Sequence, residues 1–307
     1  MRRARLRFCM LLALVTALAL PGPAATRLPK VLLVVAHPDD EYNFAATTYR
    51  IARELGGAID EVVITDGEGG YRYSLLAEKI YGVQLTSEEA GREHLPAIRR
   101  QETLRAGRIL GVRHHYFLNQ KDRNFTLDPN LALNGTWDIK QISAFLDHLL
   151  AHQRYDFVFT VLPTEDTHGH HQAATILALQ AVSRLPEQDR PVILGAAAVR
   201  HDQVAIRFPG RSEYPLTATT ADAPVFSFDR RTSFGYHDSL NYAIVVNWMI
   251  AEYKSQGLFQ TDAGKHDQES FWLFSVSGAR GPSAAAELSE HLLPHTQVSV
   301  HRQQEWR

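Results

Sequence analysis

The chain has 307 residues and a single cysteine, Cys9, which lies close to its start. The rest of the sequence has no thiol. That excludes disulfides, thiolate metal sites and a cysteine nucleophile there. A basic balance is also missing: the formal net charge is -2, which argues against a nucleic-acid partner. A long apolar span is absent too. Residues 8–20 are apolar apart from Thr16, but a membrane crossing needs about 20 such residues. There is no internal repeat, no low-complexity tract and no Gly-x-Gly-x-x-Gly spacing of the kind that cradles a dinucleotide.

The N-terminal stretch has its own pattern. Arg2, Arg3, Arg5 and Arg7 precede residues 8–20, and Pro21-Gly22-Pro23-Ala24-Ala25 follows. A basic start, a short apolar run and a small-residue exit are the layout of a secretory signal peptide. The expectation is a signal over residues 1–25, export to the periplasm or exterior, and no stable membrane span after cleavage. An uncleaved N-terminal anchor is the alternative. Loss of residues 1–25 removes four arginines and no acid, taking the formal charge from -2 to -6.

The remainder, 26–307, reads as a single domain with a core over 31–200 and a C-terminal part over 201–307. Its hydrophobic content of 45% suits a packed globule. Apolar strand-like runs at 31–36, 59–65, 114–118, 156–162 and 192–199 alternate with helix-like stretches at 44–55, 96–110, 139–152 and 172–184. This order predicts an α/β fold: a Rossmann-like three-layer sandwich around a mostly parallel sheet. Residues 74–95 read as an insertion near the sheet rim. Residues 201–235 read as loops and short antiparallel strands, 239–256 as a helix, and the tail beyond Gly278, with His291, His295 and His301, as surface helix and loop.

The first strand ends in His37-Pro38-Asp39-Asp40-Glu41. A second cluster, His168-Gly169-His170-His171, follows the strand at 156–162. In a doubly wound sheet both strand ends share one rim, where ligands bind. His37, Asp40 and His171 would give two imidazoles and one carboxylate, leaving a position for water, as a catalytic zinc requires. Ferrous iron suits the same donors. The metal would lower the pKa of that water toward ~7. Asp39 can then serve as general base and His168 as oxyanion or leaving-group partner, with Glu41 orienting a ligand from behind. The plainer alternative for Asp39 or Asp40 is a helix cap. The turn Asp66-Gly67-Glu68-Gly69-Gly70 reads as backbone bordering the site. The aromatics Phe226, Phe228, Phe234, Tyr236, Tyr242 and Trp248 are either core or sugar-stacking platforms.

Ala36-His37-Pro38-Asp39-Asp40-Glu41 resembles the signature of the LmbE-like (PIG-L) deacetylase family. Thr65 to Gly70, Arg99-Arg100-Gln101-Glu102, Leu110-Gly111-Val112, Phe117-Leu118 with Asp122, His168 to His171, and Tyr253-Lys254-Ser255-Gln256 resemble further motifs in the same order. The resemblance spans about 31–256. It implies a zinc-dependent hydrolase that removes N-acetyl groups from N-acetylglucosamine-type sugars or glycoconjugates. It further implies that His37, Asp40 and His171 are ligands, Asp39 the base and His168 the assisting histidine, and that Arg99 and Asp122 contact substrate. The family usually has an acid where this chain has His170, so a protonated His168 should be less favoured. Rival readings are a metal-dependent amidase acting on a non-sugar or thiol-conjugate amide, a non-catalytic carbohydrate-binding protein, and a nucleotide-binding α/β protein. The oligomeric state is open.

Overall fold

The computed structural model describes residues 28–123, 125–262 and 264–293. The expected signal at 1–25, Cys9, His295 and His301 lie outside them. The first five strands are β1 (Lys30–Val35), β2 (Ala58–Thr65), β3 (Val112–Gln120), β4 (Phe157–Val161) and β5 (Val192–Val199). They are parallel where they pair. β6 (Phe226–Asp229) follows, then a small ribbon of β7 (Ser233–Phe234) and β8 (Leu240–Asn241), and finally β9 (Gln268–Leu273). The seven-stranded sheet has the order β3-β2-β1-β4-β5-β9-β6. β9 runs antiparallel to both of its neighbours.

Alternate residues of β1 feed two cores. Val31, Leu33 and Val35 face one side, and Leu32 and Val34 the other. The first side is covered by α1 (Ala45–Tyr49), which continues as one π turn over Arg50–Glu54. α3 (Glu88–Leu110), α6 (Ala243–Glu252) and α8 (Gly281–Leu292) pack on the same side, while α4 (Ile139–Gln153) and α5 (Gly169–Arg184) cover the other. A parallel sheet needs both faces covered, because its strands are apolar throughout. Two short helices, α2 (Leu75–Tyr81) and α7 (Gly257–Asp262), lie outside these layers. The three-layer expectation therefore holds.

Several boundaries differ from the sequence reading. α3 begins eight residues before Pro96, at Glu88, because Ser87 Oγ accepts the Ala90 amide at 3.2 Å and caps it. The segment expected as an insertion, 74–95, is thus α2 and the first turns of α3, preceded by a 3-10 turn (Glu68–Tyr73). α5 starts at Gly169, which puts His170 and His171 in its first turn. β9 was not foreseen. Phe226, Phe228 and Tyr242 are buried in the core, and none of the six late aromatics lines the cavity described below.

β9 carries a buried ion pair. Glu269 accepts Arg230 Nε at 2.9 Å and the backbone amides of Ala46 and Thr47 at 2.8 and 2.9 Å. The late strand thereby anchors the start of α1. Removing one partner of such a pair leaves an uncompensated buried charge. We expect Glu269→Ala to lower the free energy of unfolding by about 3–5 kcal/mol in urea titration. A loss below 1 kcal/mol would show that the pair does not hold α1.

Candidate active site

β1 and β4 are neighbours at the centre of the sheet, where the chain's strand order reverses direction. Such a switch point opens a crevice beyond the strand ends. His37 leaves β1 into it, and the His168–His171 segment follows β4 into it.

The loop after β1 is shaped by its own acids. Asp40 Oδ2 accepts the amides of Ala36 at 2.9 Å and His37 at 2.8 Å, folding the carboxylate back over the strand end. Asp39 has φ 105°, in the left-handed region. For a residue other than glycine that strain costs on the order of 1–3 kcal/mol and tends to occur at functional sites. Neither acid caps the following 3-10 turn through its side chain.

His171 Nε2 lies 2.9 Å from Asp40 Oδ1 and 3.1 Å from His37 Nδ1. His37 Nδ1 is 3.5 Å from Asp40 Oδ2. One ligand atom from each of His37, Asp40 and His171 falls within 4.8 Å of the others. The far side of each imidazole also has a partner. His37 Nε2 faces Asp122 Oδ1 at 3.4 Å, and His171 Nδ1 faces Thr167 Oγ1 at 3.1 Å. Outer partners of this kind fix ring orientation in metal sites. A second grouping, His37, His168 and His170, is also compact but contains no carboxylate.

The electrostatics fit a cation. Burial disfavours charge on His37, yet Asp122 and Asp40 outweigh it and push its pKa up to about 10. Burial also opposes ionisation of Asp40 and Asp122, but the histidines beside them hold both carboxyls well below their usual range. The pocket of carboxylates thus favours positive charge, which a divalent ion would supply in place of a proton.

Asp39 sits apart from this set. Burial raises its pKa to about 6, against the pull of Arg99. Arg99 Nη2 donates to Asp39 Oδ2 at 2.8 Å and also reaches the Pro38 carbonyl, while Nη1 donates to the Gly67 carbonyl at 3.1 Å. Glu41 Oε2 accepts the Asp39 amide at 3.1 Å, and Tyr253 Oη donates to Glu41 Oε1. Burial pushes Glu41 up to about 8. Glu41 therefore backs the base rather than a ligand.

His168 stacks between His37, with ring centroids 5.1 Å apart, and Phe125, at 4.9 Å. Burial, then the neighbouring His37, His170 and His171, pull its pKa down to about 3, and its Nε2 is buried without a protein partner. His170 is buried, with Nδ1 3.2 Å from His37 Nε2 and 3.4 Å from Asp122 Oδ1. Where an acid was expected there is a second imidazole, and Asp122 supplies the carboxylate for both rings.

A cavity of about 650 Å³ opens over these residues, and its walls include His37, Asp39, Asp40, Arg99, Asp122 and His168. Arg99 and Asp122 were expected as substrate contacts. Both reach the cavity, but their closest partners are Asp39 for one and the histidines for the other. Gly69 and Gly70 line it as well. A Cβ on Gly69 would sit 2.8 Å from the Asp122 carbonyl and one on Gly70 2.5 Å from Gln256 Nε2, and the two amides are already given to Asp122 Oδ2 and the Gly67 carbonyl, each at 3.2 Å. The Tyr253–Gln256 motif acquires a role here. Glu102 accepts the Ser255 amide at 2.9 Å and its hydroxyl at 2.5 Å, and Gln256 reaches the Gly70 carbonyl at 3.4 Å. Tyr253, Thr167 and Phe125 were missed as site residues. Only Tyr253 lay in a motif that sequence reading had marked.

Residues 32–182 match the family model described as PIG-L: GlcNAc-PI de-N-acetylase. The chain carries a PIG-L family domain. Two curated relatives are named Probable N-acetyl-alpha-D-glucosaminyl L-malate deacetylase 2. The one from Bacillus cereus is 24% identical over 179 residues, covering 58% of this chain and 72% of its own. The one from Bacillus anthracis is 25% identical, covering 58% and 70%. Among solved structures, the N,N'-diacetylchitobiose deacetylase from Pyrococcus horikoshii aligns with TM-score 0.50 and 20% identity over 80% of this chain and 84% of that one. That likeness shows the shared fold.

The contact between Arg99 and Asp39 makes a pH prediction for the PIG-L domain. Arg99 stabilises ionised Asp39, so its removal raises the carboxyl pKa. In Arg99→Met the acid limb of kcat/KM should move upward from about 6, by about one to three units. An unchanged limb in the pH–rate profile would remove Asp39 as the titrating group.

Proposed function

We propose that the chain is an exported, metal-dependent N-deacetylase that hydrolyses the acetamide of N-acetylglucosamine-type sugars or glycoconjugates. The observation that carries this reading is the meeting of His37, Asp40 and His171 in one cavity with a separate, buried Asp39. The PIG-L family match and the deacetylase names of the relatives support the substrate class. The arginine-led apolar stretch ahead of Pro21 supports export.

His37, Asp40 and His171 would hold the ion, with zinc first and ferrous iron second on donor chemistry. When bound, such an ion acidifies water and polarises a carbonyl oxygen. Asp39 takes the proton of the attacking water. A base with a pKa of about 6 ionises near neutrality and can also return that proton. The proton then goes to the departing nitrogen as the carbon–nitrogen bond breaks, giving acetate and a free amine. Arg99 and the Glu41–Tyr253 pair keep the Asp39 carboxylate in position. Neutral His168, with its unpartnered Nε2, offers a hydrogen bond to the oxygen that gains charge. His170 and Asp122 hold the rings of His168 and His37.

The test is metal analysis of the purified protein together with acetate release from N-acetylglucosamine glycosides, before and after chelation. Asp39→Asn should keep its metal and lose roughly 10²- to 10⁴-fold in kcat. His171→Ala should lose metal and activity together. Full activity in Asp39→Asn with metal retained would refute the assignment of the base. Activity indifferent to chelation would refute the metal.

A further inference from the structure

Gln172 follows His171 on α5, and its side chain is buried. Its amide group makes three contacts. Nε2 donates to the Thr167 carbonyl at 2.8 Å and to the Leu127 carbonyl at 2.9 Å, and Oε1 accepts Arg211 Nη1. A carboxamide has two N–H groups and one carbonyl oxygen, so both donors are used and the acceptor is engaged. The two carbonyls lie on either side of His168. Thr167 immediately precedes it, and the Thr167 hydroxyl is 3.1 Å from His171 Nδ1. Leu127 belongs to the loop that carries Phe125, whose ring stacks on His168 with centroids 4.9 Å apart. One side chain therefore ties the peptide that leads into His168 to the loop that covers its ring.

The same loop is also joined to the start of α5 by the Gly169 amide, which donates to the Thr126 carbonyl at 2.7 Å. A Cβ on Gly169 would sit 2.7 Å from the Asp128 carbonyl, so loop and helix are in close contact. Arg211 brings the C-terminal part of the chain into this arrangement. Its guanidinium lies over the Tyr214 ring, 5.3 Å from the centroid, and its amide donates to buried Thr217 Oγ1 at 2.8 Å. The segment 201–235 thus reaches the histidine cluster through Arg211 and Gln172. His168 itself is held by stacking rather than by a hydrogen bond at Nε2. Its aim therefore depends on where the backbone and the loop place it. A donor directed at developing charge works only when it is placed closely, and about 1 Å of misplacement can cost about 10²-fold in rate.

We propose that Gln172, held from the C-terminal part by Arg211, is a positioning residue that sets His168 and Phe125 against the reacting carbonyl. The inference rests on the deacetylase reading. Gln172 acts through His168 and not on the substrate, so its loss should fall on kcat and spare KM.

The experiment is a double-variant cycle on acetate release from an N-acetylglucosamine glycoside, with metal content measured in every protein. Gln172→Leu should lower kcat by about 10- to 100-fold, with KM and metal content unchanged. In the His168→Ala background the same substitution should cost less than about threefold, because the group it positions is gone. A full loss in both backgrounds marks a merely structural role and overturns the proposal. Gln172→Glu keeps the shape and the Arg211 partner but, as a carboxylate, donates nothing. It repeats the cycle with the packing preserved and should match Gln172→Leu; wild-type kcat in Gln172→Glu overturns the proposal. Amide hydrogen exchange reads the clamp without turnover. The Gly169 amide should exchange about tenfold faster or more in both variants, while β1 and β4 keep their protection. If the wild type releases no acetate, the deacetylase reading fails and exchange still decides the clamp. Faster exchange at Gly169 supports it, and unchanged protection in both variants overturns it.

Discussion

Everything at the rim depends on placing two carboxylates where little water reaches them. Asp40 is tolerable there because two strand-end amides and two imidazoles surround it. Asp122 is tolerable because it serves His37 and His170 together. Burial alone would force both acids to hold their protons. The histidines prevent this, and the acids in turn hold the histidines. The two acids also raise the pKa of His37 to about 10, so the cluster favours a positive charge between them, as an apolar core does not.

The same physics separates the neighbouring acids into different roles. Asp39, one residue from Asp40, faces Arg99 rather than the imidazoles, and its strained backbone is what turns it that way. Its pKa lies near the neutral range, while that of Asp40 lies far below. Glu41 is pushed higher still and bonds only protein groups. Three consecutive acids thus form a graded series set by their partners. Farther back, Glu61 on β2 is raised well above the carboxylate range by burial, then by Glu41 and Asp40, and lies 3.3 Å from His115.

Much of this was legible in the sequence, for identifiable reasons. Parallel strands buried on both faces read as unbroken apolar runs, so β1, β4 and β5 were found nearly to the residue. The ligand set was legible because strand ends in an alternating α/β chain converge on one rim. β9 was not, because its buried Glu269 and Ser270 look like surface residues until Arg230 and the start of α1 are brought to them. Pro96 misled because proline usually marks a helix start, whereas Ser87 provides a stronger one earlier. The family's usual partner for the histidine rings, an acid within the His168–His171 cluster, is replaced here by His170. The carboxylate comes instead from Asp122, a residue whose role only the fold could reveal.

The anchoring of α1 by Glu269 also bears on the order in which the molecule can assemble. The helix that follows the first ligand loop is clamped by a residue from the last strand of the sheet. A chain emerging in sequence order displays His37 and Asp40 early but cannot lock the turn that carries them until β9 is available. A contact between residues 223 apart in the chain therefore controls a local motif. A truncated or stalled chain would hold the signature residues without the means to orient them.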